Sequence, residues 1–349
     1  MSQSMYHVSQ LELDQVAVRE CHRLQLRRSI LAVVLTWVLI AILVFFASHF
    51  VPTQIFWWFY VPIAFLIAGR QGALLQLVHE GSHRLLAPSK AVNDRIGKWL
   101  CALPVGVNYE GYASGHVMHH AHTGTDLDPP ADTEKYRNVD VGDWRLYALF
   151  LKDLVGITAL SVFLSYITSG RPKNNESGSP FSGVVKLAQL ILVQGVLLAV
   201  LFQFNVVNYV LLWLVPAACF HMLLMRIRGI AEHGLNKQLS LHLESPEEGN
   251  FYTRSFGTPK NRYRLFPLVW VERALIGSLN VYYHHEHHLF PKVPFYNLPK
   301  LHSLVADQVS DRNPDVYAAG YFSAFSRGLG SRPPMSEPSH ISPAVHAVD

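Results

Sequence analysis

Charge is the first thing this sequence is short of. Of its 349 residues only 15% are Asp, Glu, Lys or Arg, while 50% are hydrophobic; soluble domains usually carry about a quarter charged residues. Part of the surface is therefore expected to face lipid. Cysteine is also scarce. Cys21, Cys101 and Cys219 lie far apart and form no CxxC pair, which excludes a disulfide framework and a cysteine-held zinc or iron–sulfur site. No clustered basic stripe accompanies the net charge of +4, so no nucleic-acid partner is expected. The basic segment 1–28 is not followed by a short apolar core with a small-residue cleavage site, and a removed signal peptide is not expected.

Long apolar runs are what the chain has instead. From Ser29 to Gly69 there is no Asp, Glu, Lys or Arg. A spanning helix needs about 20 apolar residues, so the run predicts two helices, about 29–48 and 54–76, turning near Pro52. From Leu187 to Met225 the pattern recurs, with a polar break at Asn205–Asn208, and predicts helices over about 185–203 and 208–228. Arg28, Arg70, Lys186, Arg226 and Arg228 stand at the outer ends of the two hairpins. The positive-inside rule then places both termini, and the segment between the hairpins, in the cytoplasm. Trp57, Trp58, Phe59 and Tyr60 suit an interfacial aromatic belt. Residues 146–168 are long enough to be a fifth span. Parity argues otherwise, because histidine groups on either side of that stretch can share a site only across an even number of spans. It is read as an interfacial helix. Residues 171–180 read as a loop, 306–349 as a cytosolic C-terminal segment, and the Gly-, Pro- and Ser-rich tail beyond about 326 as disordered.

Histidine is in excess, at 19 residues, and clustered. His79 and His83 are four apart, on one helical face. Alone, HxxxH also describes a solvated helix end. His116, His119 and His120 form an i, i+3, i+4 tripod, and His284, His287 and His288 repeat that spacing far along the chain. A polar surface helix explains one tripod poorly and two worse. Two tripods also exceed what one four-coordinate zinc can use. His233 stands alone just after the last apolar run, where a histidine is commonly a helix cap. Imidazole binds iron, zinc, copper and nickel alike, so ligand type leaves the metal open.

Over about residues 30–305 the chain resembles the membrane fatty-acid desaturase and hydroxylase superfamily. The segments HEGSH (79–83), HVMHHAHTGTDLDP (116–129) and YHHEHHLFPKVPFYNLPKLH (283–302) carry the likeness. The resemblance implies an all-α integral-membrane fold over 29–305: four transmembrane helices in two hairpins, under a cytosolic helical cap that carries a histidine-rich di-metal site. It implies nine ligands to two iron ions: His79, His83, His116, His119, His120, His233, His284, His287 and His288. Dioxygen would be the co-substrate. Some relatives place a water-bridging Asn one turn before the histidine matching His233; here that position is Gly229, and Asn280 is the candidate substitute. His122, His285, Asp126, Asp128 and Glu286 lie beside ligands and are candidates for orienting them; the carboxylates are equally readable as solvated or capping groups.

Such a centre would oxidise the unactivated C–H bonds of a fatty-acyl or other lipid chain that enters from the membrane. Electrons would come from a separate donor, a ferredoxin or similar carrier, since the chain has no His-Pro-Gly-Gly, no ferredoxin cysteine pattern and no GxGxxG loop. Fatty-acid desaturation is the leading expectation, in the cytoplasmic (inner) membrane with the metal site on the cytoplasmic side. Hydroxylation or ketolation of a lipid or carotenoid is an alternative on the same scaffold, as is oxidative decarboxylation of a free fatty acid to a 1-alkene. A non-enzymatic membrane metal-binding or transport protein is the remaining reading, and the charge-free hairpins speak against transport.

Overall fold

A computed structural model describes residues 11–51, 55–123, 128, 144–168, 181–233, 257, 266–312 and 316–330. Asp126 lies outside them. The regular elements among these residues are helical: α1 (Gln15–Cys21), α2 (Leu26–Phe50), α3 (Phe56–Ser82), α4 (Lys90–Arg95), α5 (Tyr109–His122), α6 (Trp144–Leu154), α7 (Ile157–Thr168), α8 (Phe181–Val200), α9 (Val206–His233), α10 (Phe266–Leu275), α11 (His284–Leu289), α12 (Leu298–Arg312) and α13 (Tyr321–Gly330). Four of them, α2, α3, α8 and α9, are long and apolar enough to cross a membrane. Helices suit that setting because hydrocarbon offers the backbone no hydrogen-bond partner, so each segment must satisfy its own.

The apolar faces of α2 show which surface meets lipid. Ala32, Val33, Thr36, Ile40, Val44 and Ala47 recur at three- and four-residue spacing and are buried, while Leu31, Leu35, Val38, Ile42 and Phe46 are equally apolar and exposed. In water the second set would be costly; in a bilayer it is the solvated face. At the tip of the first hairpin Trp57 and Trp58 are 66% and 83% exposed, as side chains that anchor at the interface would be.

Helix α3 is the axis of the bundle and packs against α2, α5, α9 and α10. Its inner face is built from small residues, and the tightest approach is at Gly69. A Cβ there would stand 2.3 Å from the carbonyl oxygen of Ala274, at the end of α10. Arg70 then donates from Nη2 to Ala274 O (2.5 Å) and Ser278 Oγ (2.8 Å), which satisfies the carbonyl end of α10. Helix α9 is not uniform. Two π-helical stretches, Val210–Leu214 and Pro216–His221, precede the α-helical turns of Met222–His233.

The stretch read as one interfacial helix over 146–168 is two helices, α6 and α7, bent by 70°. The corner is at Gly156, whose φ of +77° a side chain would strain. Leu151, Val155, Leu160 and Leu164 stay exposed around it. A buried ion pair anchors the corner: Arg226 of α9 donates through Nε and Nη2 to Asp153, which also accepts from Thr158 Oγ1 at 2.6 Å. At the other end of the chain α13 runs to Gly330, past the point where the composition predicts disorder. Glu272 explains this, accepting from the backbone N–H groups of Tyr321 and Phe322 and so capping the helix.

Gly69→Ala should lower stability by about 1–3 kcal/mol, because backbone rather than a flexible side chain opposes the new methyl. Thermal unfolding of the detergent-solubilised protein measures this; an unchanged midpoint would mean that α10 can move away from α3.

Candidate metal centre

The histidines are delivered by four separate elements. His79 lies inside α3, which runs six residues beyond the boundary expected from hydropathy, and His83 is its C-cap. The chain then turns through Arg84, at φ +62°, with Arg84 N donating to Gly81 O and Leu85 N to Glu80 O. Asn93 holds that turn. Its side chain accepts from Leu86 N and donates to Gly81 O and the Tyr109 hydroxyl, tying the end of α3 to the start of α5. His116, His119 and His120 lie on α5, His233 is the last residue of α9, and α11 carries His284, His287 and His288.

All nine converge in two adjoining groups. Ring nitrogens of His79, His83, His116, His120 and His287 lie within 4.8 Å of one another. Those of His119, His233 and His288 form a second set, which overlaps through His233 with a third made of Glu232, His233 and His284. The groups abut where His120 and His288 stack, with ring centroids 4.4 Å apart.

The donor set fits metal ions. Nε2 of His116 stands 2.9 Å from Nε2 of His83 and 3.0 Å from that of His120, which in turn is 3.0 Å from Nε2 of His287. One imidazole nitrogen has a single in-plane site, either N–H or lone pair, so it cannot serve two linear hydrogen bonds. A shared cation satisfies every lone pair at once. Nitrogens at right angles around an ion, with bonds of about 2.1 Å, would stand about 3.0 Å apart. His79 Nε2 and His288 Nε2 are buried without a partner among the described residues.

Burial and crowding keep His83, His116, His120, His284, His287 and His288 unprotonated. Burial first, then the Lys292 ammonium and His119, holds His83 at about 3. Burial with His83, His119 and His233 holds His120 at about 2. His116, His284, His287 and His288 are pushed far below the ordinary imidazole range, by burial first and then by neighbouring imidazoles. Neutral imidazole is the metal-binding form.

The groups behind the rings are only partly those expected from the sequence. Asp128 does face a ring, 2.9 Å from His119 Nδ1. Glu286 does not. Its Oε1 accepts from His302 Nδ1 (2.5 Å) and the Tyr317 hydroxyl (2.6 Å), linking α11 to α12 and the following segment. Asn280 donates to Phe295 O and accepts from the Tyr282 hydroxyl, which commits both ends of its amide away from a bridging water. His285 is buried with its ring edge towards Tyr317, and His122 lies outside the nitrogen groups. Beside Gly229 a Cβ would meet no atom within 4 Å.

Three contributors were not singled out by the sequence. Gln76 places its amide 3.1 Å from His79 Nδ1. Glu232 lies 3.5 Å from His284 Nδ1 and is held by Arg228 and the Tyr321 hydroxyl. Tyr112 stacks on His116 at 16°. Helical spacing gave a usable signal for Gln76 and Tyr112, three and four residues before a ligand. Glu232 required knowing that α9 continues to His233.

The sequence model of the fatty acid desaturase family matches residues 55–318. Dihydrorhizobitoxine desaturase of Bradyrhizobium elkanii is 28% identical over 293 residues, which cover 82% of this chain and 76% of the relative. Sphingolipid delta(4)-desaturase of Xenopus tropicalis is 26% identical over 238 residues, covering 66% of this chain and 60% of the relative.

His287→Ala and His119→Ala, one from each nitrogen group, should each lower bound metal by elemental analysis of the purified protein, whereas His122→Ala should not. Normal metal in either of the first two would remove that residue from the ligand set. Metal-free protein should also lose stability as pH falls from about 6.5 towards 3. Across that window the unfolded imidazoles take up protons that the folded ones refuse, and linkage favours the unfolded chain. Flat stability across that range would contradict the buried, neutral rings.

Proposed function

The chain belongs to the fatty acid desaturase family, and from that premise we propose that it is a multi-pass membrane di-iron oxidoreductase that desaturates a fatty-acyl chain with dioxygen. The observation that carries this reading is the pair of adjoining nitrogen groups at the C-terminal ends of α3 and α9. His79, His83, His116, His120 and His287 would hold one iron, and His119, His233, His284 and His288 the other. Bound there, a reduced iron pair supplies what no side chain can, the conversion of dioxygen into an oxidant able to take hydrogen from an unactivated C–H bond.

The chain's own residues do the remaining work. Gln76, Asp128 and Glu232 fix the orientation of His79, His119 and His284 through their second nitrogens. Tyr112 covers the outer face of His116. The buried walls keep water from the reacting carbons. Removing two hydrogens from adjacent carbons gives the alkene; with two electrons and two protons from outside, both oxygen atoms leave as water.

The electrons are assigned to a separate ferredoxin-like carrier, and the exposed side of the first histidine box suits an acidic one. Arg84 is exposed there and occupies a left-handed conformation that would cost glycine nothing. Lys292 adds a second cation, its Nζ 3.4 Å from the His83 carbonyl. The metal site and both termini are placed on the cytoplasmic side of the inner membrane.

Lipid and headspace-volatile profiling of cells expressing the protein, beside an iron assay, tests the proposal. New internal double bonds are expected, together with an iron content of about two per chain. Hydroxylated or ketone products, or volatile 1-alkenes, would replace desaturation by another outcome on the same scaffold. A purified protein that carries no transition metal would end the di-iron reading. Turnover with an acidic donor should slow as salt is raised; insensitivity to salt would remove Arg84 and Lys292 from the docking surface.

A further inference from the structure

Helix α10 meets the middle of a membrane-spanning helix rather than its end. The carbonyl oxygen of Ala274, the next-to-last residue of α10, stands 2.3 Å from where a Cβ of Gly69 would be. Arg70 fixes the contact through Ala274 O and Ser278 Oγ. Gly69 is twelve residues after Trp57, about 18 Å along α3. The exposed Trp57 and Trp58 mark one boundary of the hydrocarbon core. That core is about 30 Å thick, so Gly69 and the Ala274 carbonyl lie about 12 Å or more inside the other boundary, the one nearer His79. Any tilt of α3 only deepens them. Trp270 is four residues before Ala274, at most about 6 Å away along the helix. It too stands within the hydrocarbon, whichever way α10 points.

The side chains agree with that depth. Trp270 and Val271 are exposed on α10, and Phe322 of α13 is 77% exposed. Glu272 brings Phe322 alongside by accepting from the backbone N–H groups of Tyr321 and Phe322. The apolar residues thus face outward while the carboxylate turns to the protein, the reverse of a surface built for water. Arg273 is exposed as well, but its guanidinium lies over the Tyr282 ring, 5.0 Å from the centroid. Tyr282 is two residues before His284, so the cation reaches towards the histidine side of the membrane, as a snorkelling arginine does.

We propose that α10 is embedded in the leaflet nearer the histidine groups, and that Trp270, Val271 and Phe322 form a ledge whose partner is the acyl chains of that leaflet. A helix of ten residues is too short to cross. It can dip into one leaflet because Arg70 meets its carbonyl end. Residues 266–275 then belong to the membrane part of the molecule rather than to a cytosolic cap. Phe322 is next in the chain to Tyr321, whose hydroxyl holds Glu232 behind His284, so the ledge brings lipid close to the metal centre. This inference needs the membrane bundle and not the oxidation proposed above.

The test uses the iron-loaded, full-length protein in phosphatidylcholine nanodiscs, in a Cys219→Ala background; Cys21 and Cys101 are buried. Val271→Cys and Phe322→Cys each carry an environment-sensitive fluorophore. Leu35→Cys, on the lipid face of α2, and Lys90→Cys, on the exposed side of α4, are the references. Nitroxide groups on the lipid acyl chains should quench the labels at 271 and 322 as strongly as the label at 35. Iodide in the buffer should quench them several-fold less than the label at 90. Bound iron and the unfolding midpoint report whether each variant is folded, and two positions are used so that loss of one leaves the other decisive. Strong quenching by iodide at either position would put the ledge in water. Quenching by neither agent would put a protein surface, such as a second copy of the chain, over it. Either result overturns the proposal.

Discussion

Imidazoles whose ring nitrogens stand about 3 Å apart, as those of His83, His116, His120 and His287 do along a chain of neighbours, can share a buried site only while they remain unprotonated. A single positive ring among them would repel the others in a poorly screened interior. Burial prevents this, and it leaves His79 Nε2, His287 Nδ1 and His288 Nε2 without a hydrogen-bond partner among the described residues. Neutral rings packed this closely make a donor set that a cation fits. Fitness for a metal and dryness of the site are one constraint seen from two sides.

That constraint falls mainly on α3. Its lower turns must be narrow enough for α10 to cross at Gly69, and its last turn must aim His79 and His83 at rings from α5 and α11. Asn93 holds the exit of α3 against α5, so the position of the first tripod depends on a side chain that touches no ligand. Glu286 does the corresponding work for the second, through His302 and Tyr317. Each ligand-bearing helix is therefore fixed by a hydrogen-bonded clamp behind it rather than by the rings alone.

Much of this was legible before any coordinates. Runs free of charge marked the four apolar helices, because burial in lipid penalises every ionised group and leaves a gap in the sequence. The i, i+3, i+4 spacing marked the tripods, because helical geometry is local. What escaped was non-local. Nothing in the composition around Asp153 announces a partner 73 residues away, yet Arg226 makes that carboxylate the anchor of the α6–α7 corner. Asn280, the candidate for a water-bridging amide, bonds instead to the Phe295 carbonyl and the Tyr282 hydroxyl, partners that spacing alone does not reveal. Hydropathy does not mark the extension of α3 past residue 76 for a related reason: its last turns are polar by hydropathy and buried by tertiary packing.

The two nitrogen groups are not equivalent, and the difference is electrostatic. Around the five-nitrogen group His79 Nδ1 meets the Gln76 amide at 3.1 Å and the Glu80 carboxylate at 3.5 Å, one carboxylate among five rings. Around the other, carboxylates stand behind two rings, Asp128 behind His119 and Glu232 behind His284. A carboxylate at the far nitrogen raises the basicity of a ligating imidazole, so the group with fewer nitrogens has the stronger donors. Arg228 and the Tyr321 hydroxyl both engage Glu232, which tempers its charge and fixes its position. Ligand number and ligand strength thus oppose each other across the pair. Two ions held this way would differ less in affinity than their coordination counts suggest, and more in how readily each gives up an electron.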